Sequence, residues 1–136
     1  MKPVSLGLVL LAVALSPLGC RNPFAGESVV LGVSRLDAPF AIQPGSPVTV
    51  VLTVGLNGCD RFDHIGQIRM NSEVVLTPVG TNAAAGNNKN VSCPAVYRDV
   101  QRSVVIENPP LPPFTIAVLQ PRGAPPLRAV VAPLEP

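Results

Sequence analysis

The six residues Cys59-Asp60-Arg61-Phe62-Asp63-His64 hold the chain's one histidine and two of its eight carboxylates, the densest group of ionisable side chains in the 136-residue sequence. Two carboxylates and an imidazole are the donor types that hold a cation, so metal binding is the first chemistry to weigh. Zinc takes three or four nitrogen or sulfur ligands at defined spacing. One histidine and two cysteines expected to pair with each other fall short of that. Calcium needs more oxygens, and the remaining acids of the middle of the chain, Glu73, Asp99 and Glu107, fall on other segments. A serine-histidine-aspartate triad would have to use His64, and no serine sits in a Gly-x-Ser-x-Gly elbow. The stretch Gly80 to Gly86 lacks the Lys-Ser/Thr ending of a phosphate loop, and there is no Cys-x-x-Cys pair. The reading is a solvated loop beside a cysteine, with no catalytic residue, no metal and no cofactor: a protein that is not an enzyme.

Three cysteines are present, at positions 20, 59 and 93. Cys59 follows Asn57-Gly58 and Cys93 precedes Pro94, so both lie at turns, and in an exported chain a disulfide between them is the default. Closing a loop of about 35 residues removes chain entropy worth about 3 to 4 kcal/mol. Export itself is read from the N-terminus. Met1-Lys2 is followed by an apolar run through Leu15 and then by small residues, the layout of a secretory signal. As a helix that run spans about 20 Å, against about 30 Å for a bilayer core, so it is too short for a permanent span.

The signal ends in Leu18-Gly19-Cys20, which resembles the lipobox of bacterial lipoproteins. Gly19 and Cys20 match that pattern, whereas Pro17 stands where the family usually has leucine and Leu18 where it has a small residue. The resemblance implies that Cys20 is diacylated and becomes the N-terminus of the mature chain. Arg21 follows, not the aspartate that retains some lipoproteins in the inner membrane, which implies the outer membrane or the cell surface. Lipidation also disposes of the odd thiol, which in an oxidising compartment is exposed to stray cross-linking. The alternative is ordinary signal cleavage nearby, with Cys20 lost, free or bridging a dimer.

These residues need a scaffold, and composition limits what it can be. Seventeen prolines and eleven glycines are spread along the chain, and there is no convincing helical period after residue 20. Aromatics make up 4% with no tryptophan, so the core must be Val, Leu, Ile and Ala, with Phe24, Phe40, Phe62 and Phe114 as its large pieces. The formal net charge is only +2, which gives a phosphate backbone nothing to recognise and excludes nucleic acid. Arg98, Arg102, Arg122 and Arg128 read as scattered, solvated charge.

The division along the chain is a signal peptide over 1–19, a tether over 20–28, a β-domain over 29–119, and a proline-rich segment over 120–136 long enough for one more edge strand. Within the domain, Val48, Val50, Leu52, Val54 and Leu56 alternate with Thr49, Val51 and Thr53, which is the two-residue period of a strand. Gln43-Pro44-Gly45-Ser46 before it is a turn. Residues 65–70 and 73–77 form a hairpin about Asn71-Ser72, 81–90 is an exposed loop, and strands follow at 96–106 and 114–119. Asn90-Val91-Ser92 is a chance match to a glycosylation triplet, and Pro109 to Pro113 is a stiff link between strands.

About seven short strands separated by turns predict an all-β fold, a small antiparallel sandwich of two sheets. "LPPFTIAVL" resembles the closing strand of bacterial Ig-like modules, which implies an Ig-like arrangement; a small Greek-key barrel shares the same signals. The function expected is a non-enzymatic envelope lipoprotein, held to the membrane by its lipid, whose disulfide-bonded sandwich binds an envelope protein or a glycan or has a structural part. A secreted, inhibitor-like protein using the 79–92 loop braced by the disulfide is the alternative.

Overall fold

The computed structural model describes residues 26–85 and 90–136. Cys20 and Phe24, and with them the signal peptide and most of the tether, lie outside the described residues. The rest is all-β: β1 (Glu27–Val30), β2 (Val33–Asp37), β3 (Ala41–Ile42), β4 (Val48–Asn57), β5 (Asp60–Met70), β6 (Glu73–Asn82), β7 (Tyr97–Ile106), β8 (Phe114–Val118) and β9 (Leu127–Pro133), with one 3-10 turn at Pro121–Gly123. Two sheets pack as a sandwich. One is three-stranded, in the order β2-β4-β7. The other is six-stranded, in the order β1-β6-β8-β9-β3, with β5 also paired to β6.

Alternation along β4 sets the core. Val48, Val50, Leu52, Val54 and Leu56 are all buried, while Thr49 and Asn57 face solvent. They meet Val74 and Leu76 of β6, Ile116 and Val118 of β8, and Val131 of β9 in one cluster. Phe114 is the one large aromatic of this core, at 2% exposure. Phe62 is only partly buried against it. Phe40, expected inside, is 85% exposed; it precedes a two-residue strand at the sheet's edge, where its backbone carbonyl accepts Ala132 N and its ring has nothing to pack on.

The order of the strands differs from a simple antiparallel sandwich. β6 pairs with β5 along its whole length on one edge. Its other edge is shared by two strands, β8 running parallel along Glu73 to Leu76 and β1 running antiparallel along Val79 to Asn82. Pro78, which has no N–H to give, sits where one partner stops and the other starts, with its carbonyl accepting Leu31 N at 2.9 Å. A second parallel ladder joins β3 to β9. Parallel neighbours need a crossover connection, and β7 in the opposite sheet provides it between β6 and β8.

Four segments read from the sequence need revising. The run from Val29 to Arg35 is two strands: after β1 the chain changes sheets at Leu31-Gly32, and Gly55 N bonds Gly32 O across the step. Residues 60–64 are the start of β5, because β6 continues through Asn82 and so offers Asp60 and Arg61 partners. The same extension takes Thr81 and Asn82 out of the expected loop, leaving a turn at 83–85 before residues that are not described. The further strand expected within 120–136 is present as β9, but it lies between β8 and β3 and not at the sheet's edge. Of the proline link, Pro109 and Pro110 are buried, whereas Leu111 is 75% exposed.

Both sides of the sandwich where the sheets' edges meet are tied by side chains. Gln67 Nε2 of β5 donates to Val105 O of β7 at 3.1 Å, Arg69 donates to Asn108 O, and Arg102 lies 5.0 Å above the Phe62 ring. On the opposite side, the Gln120 amide makes both hydrogen bonds that a neighbouring strand would make to Val33: its Oε1 accepts Val33 N at 3.0 Å and its Nε2 donates to Val33 O at 2.7 Å.

Candidate functional site

The ionisable group at 59–64 is dispersed by strand geometry. Side chains alternate between the faces of β5, and a bulge between Phe62 and His64 shifts the register. Asp63 and His64 end up together in solvent, with His64 Nδ1 3.1 Å from Asp63 Oδ2. Asp60 lies elsewhere and serves the turn: its Oδ2 accepts Asn57 N at 3.0 Å and its Oδ1 accepts Asn82 Nδ2 at 2.6 Å. Among the described residues, no three His, Cys, Asp or Glu side chains converge as a metal site would need.

Cys59 and Cys93 are joined, with their Cα atoms 5.1 Å apart. Around the bridge a set of short-range bonds fixes one end of the sandwich. Asn57 Oδ1 accepts Cys59 N, Asn82 Oδ1 accepts Ala84 N, and Ala83 N donates to Cys59 O. The three side chains Asn57, Asp60 and Asn82 thus cap the ends of β4, β5 and β6. Asx residues favour such turns because their side chains reach backbone N–H groups two residues on. The sequence shows the residue types; only the pairing of β5 with β6 shows that they meet.

At this end a cavity of about 740 Å³ opens between the sheets. It is lined by Val29 and Val30 of β1 and by Leu31 and Gly32 at the step to β2. Asn57, Asp60 and Asn82 also line it, as do Gln120 and Arg122. Arg122 takes a left-handed backbone, φ 56° and ψ 35°, followed by Gly123 at φ 70°. No property of the sequence in this region marked a cavity, because its walls come from five separated segments.

The four arginines considered together in the sequence are apart in the fold. Arg98 and Arg102 lie on β7, Arg122 in the 3-10 turn, and Arg128 on β9, where it pairs with Glu73 at 2.8 Å. A further polar feature lies on the outer face of the small sheet. Tyr97 extends across Gly55 of β4, so that a Cβ at position 55 would collide with the phenol. Desolvation, then the charge of Asp99 and a hydrogen bond to it, raise the Tyr97 phenol above its ordinary value.

No protein-family model matches this chain, and no curated protein or solved structure matches it.

Proposed function

We propose that this chain is an exported lipoprotein of the bacterial cell envelope, anchored through Cys20, whose disulfide-bonded sandwich is a non-enzymatic binding or structural module. The observation that carries the reading is the Cys59–Cys93 bridge. Such bonds persist in oxidising compartments, which agrees with a signal-like N-terminus ending in Leu18-Gly19-Cys20. With those two cysteines joined, Cys20 is the remaining thiol, and diacylation gives it a role. Two acyl chains hold a protein stably where one is marginal.

Geometry adds an orientation. Gly26 packs against the backbone of Asn82 and Ala83, at the disulfide end of the sandwich. Six residues span at most about 22 Å when fully extended, so an anchor at Cys20 keeps the disulfide end, and the cavity there, close to the bilayer. The test is fractionation of cells expressing the wild-type chain or Cys20→Ala. The wild type is expected in the membrane fraction and the variant in the soluble one; a wild-type protein found soluble contradicts the anchor.

A further inference from the structure

The polar side chains around the cavity are unequal in what they have left to offer. Each of their side-chain oxygens already accepts one hydrogen bond inside the protein. Asp60 accepts from Asn57 N and from Asn82, Asn57 Oδ1 from Cys59 N, Asn82 Oδ1 from Ala84 N, and Gln120 Oε1 from Val33 N. The Gln120 and Asn82 amide donors are engaged too, with Val33 O and Asp60. Two donors have no hydrogen-bond or ion-pair partner among the described residues: Nδ2 of Asn57 and the guanidinium of Arg122. A ligand entering here therefore meets Val29, Val30 and Leu31 and a rim on which the two side-chain groups with no partner among the described residues are both donors.

We propose that this cavity binds an anionic amphiphile, an apolar chain ending in a carboxylate or a phosphate. The chain lies along Val29, Val30 and Leu31, and the anionic group takes the hydrogen bonds of Arg122 and Asn57. Charge complementarity selects the head: a guanidinium forms strong, often paired hydrogen bonds to carboxylate and phosphate. The volume is in the range of ligand clefts, about 300–1,000 Å³. The carboxylate of Asp60 also lines this space and keeps its negative charge, its two oxygens held by Asn57 N and Asn82 Nδ2; a cationic control distinguishes a site set by Asp60 from one set by Arg122. The proposal rests on reading the sandwich as a binding module and is independent of Cys20, so soluble wild-type protein leaves it standing and failure to bind leaves the anchor standing.

The experiment is calorimetric titration of the purified, disulfide-intact protein with dodecanoate, with dodecyltrimethylammonium and acetate as controls, all below micelle formation. Dodecanoate is expected to saturate at one site per chain. The cation of equal length is expected to bind at least about 10-fold more weakly, and acetate, lacking the chain, at least about 100-fold more weakly. Arg122→Asn keeps a residue type that tolerates the left-handed backbone and is expected to weaken dodecanoate about 10-fold. Ala85→Trp, which fills the cavity from its half-buried turn, is expected to abolish binding; a thermal melt shows that each variant is folded. Transfer of a fluorescent phosphatidylglycerol out of vesicles, competed by dodecanoate, assigns a phospholipid as the source, and dodecanoate binding without transfer assigns a fatty acid. Equal affinity for the cation, undiminished binding by folded Arg122→Asn or Ala85→Trp, or neither binding nor transfer overturns the proposal.

Discussion

Tyr97 is the chain's single tyrosine and there is no tryptophan, so its ionisation can be followed directly by absorbance. The phenol is raised above 10.0 by desolvation and by Asp99. An acid raised in the folded state keeps its proton there while the unfolded chain has lost it, so the fold loses stability as pH climbs from 10.0 through the raised value. The expected titration midpoint lies above 10.0 and moves back toward it in Asp99→Asn; a midpoint that ignores Asp99 contradicts the contact. Gln120 presents a second residue-scale case. Gln120→Ala strips both hydrogen bonds from Val33, which is buried at 6% exposure. An unpaired buried N–H and C=O cost about 1–3 kcal/mol each, less whatever water recovers, so the denaturation midpoint should fall clearly without a change in denaturant slope.

Among the elements, the disulfide is expected to dominate stability. It closes a 34-residue separation, and Cys59→Ser with Cys93→Ser, or reduction, should lower stability by about 3–4 kcal/mol. An unchanged melting temperature under reducing conditions contradicts that. The bridge was readable from cysteine number and turn context, as β4 was from its two-residue period. The hairpin about Asn71 was readable as well: Asn71 does take φ 47°, a value asparagine tolerates. Other features were not legible, for identifiable reasons. Periodicity gives strands but not their partners, so neither the parallel placing of β8 on β6 nor the insertion of β9 between β8 and β3 was visible. Phe40 looked like core because it is large and apolar; its place at an edge depends on a two-residue strand no pattern marks. The cavity and the Asn57-Asp60-Asn82 cap rest on the same long-range pairing, and single side-chain types do not announce it.

For the whole molecule, the sandwich and its bridge join an N-terminus that reads as an export signal with a lipid attachment point. The sheets bury one aliphatic core with Phe114 as its largest piece, and side chains such as Gln67, Arg69 and Gln120 occupy sheet edges that would otherwise invite pairing with another chain. Such a build suits the tethered module proposed above. The lipid anchor and the disulfide are tested together by the intact mass of the mature protein from its native host, with membrane and soluble fractions kept apart and each measured before and after reduction. The expected species is membrane-bound, begins at Cys20, carries acyl mass, and gains two hydrogens when the Cys59–Cys93 disulfide opens. A soluble species that begins elsewhere and carries no lipid would contradict the anchor.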